Sequence, residues 1–258
     1  MKNLDLIISG GGMKFYYLLG IKKAIQKLKK HINIKRYAGT SSGSIFATLI
    51  ACNIDNKLLI ETYQTLYKTS NYKMNIIDIF LNTVLPDNCH IICSNKVFLS
   101  VSKVGLPFKN EIISNFTSKK HLIEVIKTSS SFPFFVNSNL FYKYDNKNYV
   151  DGFFTNNTPF FKDNLCDQVI IRPFIVKYKN IQIFDMEPNE NIQYLSLGFN
   201  DFIKFFNGQK VTPIEWYDPK KTKFNNIIIK YIKYLLKFNS IKYFLIIILI
   251  IIILKKMN

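Results

Sequence analysis

Residues 4–9 form a short apolar run closed by Gly10-Gly11-Gly12, the pattern of a buried strand entering a tight turn. In residues 15–30 the apolar positions Leu18, Ile21, Ile25 and Leu28 recur at helical spacing. Lys22, Lys23, Gln26, Lys27, Lys29 and Lys30 fill the opposite face, so the spacing predicts an amphipathic helix. A second strand is expected at about residues 34–38, stopping at Gly39. The nearly unbroken apolar stretch that follows Ser42 (Ile45, Phe46, Ala47, Leu49, Ile50, Ala51) predicts a buried helix. Strand, helix, strand, helix in this order predicts a parallel sheet with right-handed crossovers, and so an α/β fold.

Beyond this unit the pattern loosens. Residues 55–69 read as another helix with Asp55 at its N-cap. Residues 70–120 hold no sustained period and are expected to form a lid or cap over the site. Residues 142–150 read as a hairpin around Asp145-Asn146-Lys147-Asn148, residues 168–176 as a strand, and residues 194–206 mix both signals. No internal repeat is present. A change in composition near Asp218 separates a domain of residues 1–218 from a tail of residues 219–258.

Charge alters the picture mainly in that tail. The chain has 258 residues and a formal net charge of +18, enough for one α/β domain and an appendage. After Asp218 there is no acidic residue, while Lys220, Lys221, Lys223, Lys230, Lys233, Lys237, Lys242, Lys255 and Lys256 lie in the most hydrophobic part of the chain. Basic and polar tails suit nucleic acid, whereas basic and apolar together suit an anionic lipid surface. Neither an aromatic stacking motif nor a helix-turn-helix is evident, so no nucleic-acid partner is expected. Residues 227–237 place Lys230, Lys233 and Lys237 on one helical face. Residues 243–254 carry no charge and span about 18 Å as a helix, short of the roughly 30 Å hydrocarbon core. Crossing would require snorkelling lysines or a thinned bilayer; the alternative is a buried Ile-rich strand. The expectation is a membrane-associating tail. Its Lys-Lys-Met-Asn ending is similar to a dilysine retrieval signal and serves equally as a positive flank.

Gly39-Thr40-Ser41-Ser42-Gly43 fits G-x-S-x-G between a strand and a helix. A nucleophile needs such a sharp turn, with glycines that let neighbouring chains pass close. The helix N-terminus adds amides and positive dipole beside a developing oxyanion. Only Ser41 satisfies the pattern, and Ser42 and Ser44 read as cap or packing residues. The histidines are His31, His90 and His121, so the order Ser, acid, His is unavailable beyond Asp151. Without histidine, a partly desolvated carboxylate can serve as base. Asp151-Gly152 at a strand end is the best-placed candidate, although the same dipeptide is also an ordinary β-turn. Cys89-His90-x-x-Cys93 has half of a metal-site spacing with no second half, so no metal or other cofactor is expected. Cys52 reads as core. The glycine turn also lacks the spacing of a phosphate-binding loop.

Together, Gly10-Gly11-Gly12-Met13-Lys14, the early Gly39-Thr40-Ser41-Ser42-Gly43 and the distal Asp151-Gly152 resemble the patatin-like phospholipases. Ser129-Ser130-Ser131-Phe132-Pro133 and Asn156-Asn157-Thr158-Pro159 match further family segments, in order, across roughly residues 4–200. The resemblance implies a three-layer α/β/α fold with a mostly parallel central sheet and a Ser–Asp dyad that hydrolyses lipid acyl esters. It assigns Ser41 as nucleophile, Asp151 as base and the Gly10, Gly11 and Gly12 turn as oxyanion hole. Gly39, Gly43 and Gly152 belong to the turns around the dyad, and Lys14 takes the place of a basic residue common in the family, there to orient the loop or an anionic group or simply exposed. Phe15 and Phe153 stand where the family usually has glycine, which leaves a catalytically inactive, membrane-binding or scaffold protein as the alternative. The implied substrate and docking surface is a phospholipid membrane. The N-terminal run is too short for a signal peptide, so the catalytic domain is expected to face the cytosol.

Overall fold

The computed structural model describes residues 1–12, 14–69, 73–176 and 192–219. The expected tail therefore lies outside the described residues, apart from Pro219 at its start. The chain runs β1 (Lys2–Ile8), α1 (Phe15–Lys27), β2 (Ile32–Thr40), α2 (Ser42–Ala51), α3 (Asn56–Thr69), α4 (Lys73–Val84) and α5 (Cys89–Cys93). It continues through β3 (Val97–Lys103), β4 (Lys109–Ile113), α6 (Lys119–Ser129), β5 (Tyr142–Tyr144), β6 (Lys147–Asp151) and α7 (Phe153–Asn156). The last described elements are β7 (Asp167–Ile171), α8 (Ile192–Phe206) and β8 (Ile214–Trp216).

The strands join one sheet in the order β5-β6-β3-β2-β1-β7-β8, with β4 also pairing β3. Its centre, β3-β2-β1-β7, is parallel, and the outer pairings are antiparallel. The mostly parallel α/β expectation therefore holds. β1 is buried from Leu4 to Ile8, as a central parallel strand covered on both faces should be. Leu4, Leu6, Ile8, Val169 and Ile171 face the helical core, and Ile7, Ala38 and Ile170 pack with Phe161 on the other side. Asp5, fully buried within β1, is met by the Arg36 guanidinium at 2.6 Å and 3.1 Å.

Several sequence expectations need correction. The lid expected at residues 70–120 is not seen over the described residues 73–120, which supply α4, α5, β4 and the interior strand β3. The strand expected at residues 168–176 stops at Ile171, because Pro173 cannot donate to a ladder and starts a 3-10 turn. Residues 194–206 are helical. Lys22 does not sit on a solvated face. It is 1% exposed and its ammonium donates to Ile54 O (2.5 Å) and Asn56 Oδ1 (2.8 Å), clasping the turn between α2 and α3. Asp55 caps α3, accepting from the Lys57 and Leu58 amides. The hairpin turns on Asp145 and Asn146, both at positive φ as a two-residue primed turn requires.

Candidate active site

Sheet register brings the expected residues to one edge. β1 and β2 end side by side, with Ile8 opposite Gly39, and the glycine turn and Ser41 follow directly. Thr40 pairs with Ser100 of β3, and the next β3 residue, Val101, pairs with Asp151. Asp151 thus reaches the level of Ser41 from the far side of β3. After Asp151 the chain passes the middle of β3 so closely that a Cβ on Gly152 would lie 2.1 Å from Ser100 O. Glycine is required there by contact, not by backbone angle.

Ser41 occupies the turn between β2 and α2 at φ 56°, ψ −128°, a backbone region that residues with a side chain rarely enter. The surrounding structure must hold it there. Its amide donates to Ser129 Oγ at 3.0 Å, and that hydroxyl donates to Ser100 O at 2.7 Å. The Ser129 carbonyl in turn accepts the Gly152 amide at 3.1 Å. One residue at the end of α6 therefore ties the Ser41 turn to the Asp151-Gly152 turn. Gly39 and Gly43 permit the sharp elbow: a Cβ on Gly43 would lie 2.0 Å from Ile8 O, and one on Gly39 would lie 2.4 Å from Gly43 O. Ser42 and Ser44, read as cap or packing residues, pack and hold the turn but accept from none of the free amides of α2. Ser42 Oγ accepts the Gly11 amide at 3.1 Å, and Ser44 Oγ donates to Ser41 O at 2.6 Å.

Asp151 is fully buried. Its Oδ1 accepts the Phe153 amide at 2.9 Å, while Oδ2 has no partner within ordinary hydrogen-bond reach among the described residues. Burial pushes its carboxyl up to about 7, opposed by the neighbouring Ser41 hydroxyl and the Phe153 amide. Ser41 is thus close enough to influence the carboxyl without a closed hydrogen bond, as unliganded sites often are. A carboxylate that changes protonation near neutrality, beside a half-buried serine held in a strained turn, can exchange a proton with that serine.

Two of the three turn amides are already engaged. Gly10 N donates to Asn157 Oδ1 at 2.8 Å and Gly11 N to Ser42 Oγ. Gly12, at φ 68°, turns the chain toward α1. Lys14 is buried: its ammonium donates to Val176 O at 2.9 Å, and burial lowers its pKa to about 7. It fastens the start of α1 to the segment after β7. Phe15 is turned away from the glycine turn into the core, stacked on Tyr63 at 4.0 Å and edge-on to Phe46 and Phe80. Phe153 serves Asp151 through its backbone amide, and its ring joins Phe132 and Phe154. His121 is engaged by Tyr144 and Thr117, and His90 lies beside Asp87 O. Cys89 and Cys93 are core residues, with Cys93 Sγ 3.5 Å from Cys52 Sγ. A cavity of about 410 Å³ against β8, lined by Phe205, Val211 and Trp216, contains none of the expected site residues.

Ser129 and Asn157 were part of recognised segments, but their contacts with the two turns had no signal in the sequence. Neither partner is local: Ser129 lies 88 residues from Ser41, and Asn157 lies 147 from Gly10.

Residues 6–76 match the family model described as patatin-like phospholipase. The chain is 27% identical over 168 residues to omega-hydroxyceramide transacylase of Mus musculus, covering 60% of this chain and 28% of that protein. It is 26% identical over 175 residues to patatin-like phospholipase domain-containing protein 4 of Homo sapiens, covering 62% and 68% respectively. It is 25% identical over 169 residues to 1-acylglycerol-3-phosphate O-acyltransferase Pnpla3 of Mus musculus, covering 60% and 40%. The matched stretch thus spans well under half of the first and third of these relatives. Among solved structures, the crystal structure of VipD from Legionella pneumophila aligns with a TM-score of 0.47 at 12% identity, covering 84% of this chain and 68% of that one.

Proposed function

This chain belongs to the patatin-like family, and from that premise we propose that it is a lipid acyl hydrolase working through Ser41 and Asp151. The observation that carries the reading is the pairing itself. A serine held at φ 56° neighbours a fully buried carboxyl whose Oδ2 has no partner among the described residues and which burial raises to about 7. In the mechanism, Ser41 Oγ attacks the acyl carbonyl as Asp151 takes its proton. Asp151 then returns the proton to the departing alcohol, leaving an acyl-serine and the lyso-lipid. Water, deprotonated by the same carboxylate, releases the fatty acid. The amides at the start of α2 supply the electrostatic environment for the oxyanion, with Gly12 the remaining donor of the glycine turn, since the Gly10 and Gly11 amides are engaged by Asn157 and Ser42. The departures at Phe15 and Phe153 do not weaken this reading, since the first ring is committed to the core and the second residue acts through its backbone.

Membrane phospholipid is the proposed substrate and docking surface. A second reading, acyl transfer to an alcohol in place of water, is favoured by the relatives named as a transacylase and an O-acyltransferase. Both share the acyl-serine and differ only in what resolves it. The test is fatty-acid release from mixed phospholipid vesicles by the purified chain beside Ser41→Ala. Release should fall by at least about a thousandfold in the variant, as for loss of a nucleophile. Equal release from both proteins would end the serine mechanism. Acyl-chain loss without free fatty acid, in the presence of a lyso-lipid acceptor, would favour transfer.

A further inference from the structure

Turns between strands are normally built from glycine and polar residues, which suit the bent backbone and face water. The β5–β6 hairpin follows that rule, turning on Asp145 and Asn146. The β3–β4 hairpin does not. Its connection, Val104-Gly105-Leu106-Pro107-Phe108, has no polar side chain in five consecutive residues. Leu106 is 85% exposed, the highest value of any large hydrophobic side chain among the described residues. Single exposed apolar residues are common, but a whole apolar turn held out into water marks a surface that is covered in use.

Its place in the sheet says what covers it. Ser100 of β3 pairs with Thr40, one residue before Ser41, and β3 runs on through Lys103 before the turn begins. At about 3.3 Å per residue, Val104 stands about 13 Å beyond Ser100, on the side where β1 and β2 end. Met1, Leu165 and Ile91, the next most exposed, precede β1, β7 and β3 and so lie toward the opposite ends of those strands. Val104 N donates to Asn148 O at 2.8 Å, which sets the two hairpins side by side. Lysines collar them: Lys103 and Lys109 pair across the base of the apolar turn, and Lys143 and Lys147 flank the polar one. The acids beside them, Glu111 and Asp145, are matched by Lys103 (3.0 Å) and Lys147 (3.6 Å), which leaves the collar net positive. An apolar tip inside a cationic collar suits the boundary between acyl chains and anionic headgroups. Half-buried Phe134, Leu140 and Phe141 lie on the segment from Ser129, which holds the Ser41 amide, to Tyr142 of β5, so apolar side chains also border the stretch between hairpins and serine.

Resting on the reading of membrane phospholipid as substrate, we propose that residues 104–108 are an insertion turn: Leu106 and Phe108 enter the acyl region of an anionic bilayer, the four lysines stay among the headgroups, and the Ser41 end of the sheet is thereby turned to the lipid. One short apolar turn gives only weak, reversible membrane binding, so its task is to orient the domain and not to anchor the chain.

The experiment uses the full chain with vesicles of phosphatidylcholine and phosphatidylserine. Trp216 is the chain's single tryptophan, so Leu106→Trp combined with Trp216→Phe places one fluorophore at the tip. Its emission should shift to the blue on vesicle addition and be quenched by brominated acyl chains. Leu106→Gln, at a position too exposed to matter much to folding, should release fatty acid from vesicles at least about tenfold more slowly, the loss expected when one leucine is no longer buried in lipid. Its hydrolysis of a short-chain soluble ester and its co-sedimentation with vesicles should match the wild type. An unquenched reporter overturns the insertion turn, and so does vesicle hydrolysis by Leu106→Gln at the wild-type rate. A halved mass of Leu106→Gln in light scattering also overturns it, since the turn would then be a contact between copies. If the wild-type protein hydrolyses neither substrate, the hydrolase reading fails, and quenching of the reporter alone decides the turn.

Discussion

Asp151 sets opposite demands on stability and activity. Its pKa in the fold, about 7, lies above the roughly 3.9 of an unfolded aspartate, so the folded state binds the extra proton between those values. Stability is therefore favoured below about pH 4 and is progressively lost as pH rises through 7. Activity runs the other way, because only the ionised carboxylate can accept the Ser41 proton. Turnover at low substrate should fall about tenfold per pH unit below 7. Asp151→Asn should abolish turnover and raise the thermal midpoint at pH 8, with the advantage narrowing toward pH 4. An acid limb near pH 4 to 5, or a variant less stable at pH 8, would contradict a desolvated base. Ser41 and the glycine turn stood out in the sequence because each lies in a turn with its own residue pattern, whereas Asp151-Gly152 alone reads equally as an ordinary β-turn and stood out only through the family resemblance. The partners that hold them, Ser129 and Asn157, act through tertiary contacts that no local spacing encodes.

At the scale of elements, periodicity worked where burial followed hydropathy and failed where polar residues are buried for a reason. β3 was missed because Ser100 and Ser102 interrupt its apolar pattern, yet both are fully buried. Their hydroxyls donate to Asn156 O and Asp151 O, so the strand's polar positions anchor the segment bearing Asp151. Lys22 misled the helical pattern in the same way by satisfying the α2–α3 turn. The glycines of α1 and α8 make a different kind of contact. A Cβ on Gly20 would lie 2.0 Å from Leu195 O, and one on Gly198 would lie 2.0 Å from Tyr17 O, so the two backbones touch at their crossing. Gly20→Ala gains helix propensity worth about 1 kcal/mol. It must nevertheless push the helices apart, and the typical overpacking cost of about 1–3 kcal/mol is larger. The expected result is a net loss of stability in chemical denaturation. A neutral or stabilised variant would show that α8 can move aside.

For the whole molecule, the question is how a domain with its proposed site at the ends of its central strands meets a lipid surface. Among the described residues no helix is long and apolar enough to cross a membrane. The proposal of membrane docking therefore rests on the tail, whose nine lysines and charge-free run of residues 243–254 fall outside them. If that tail is a docking device and the site is complete without it, a chain ending at residue 218 should hydrolyse a short-chain soluble ester at the full-length rate. The same variant should lose most of its binding to vesicles containing anionic lipid, measured by co-sedimentation. Loss of both activities together would mean that the tail belongs to the folded catalytic unit, as the alternative of a buried Ile-rich strand requires. Salt separates the two ways a tail can hold on. At 0.5 M NaCl, attraction between lysines and lipid headgroups is screened within about 4–5 Å, while burial of an apolar run is not weakened. Full-length binding that survives this salt would assign the anchor to residues 243–254. Binding that disappears would assign it to the lysines, with the site engaging the bilayer only in passing.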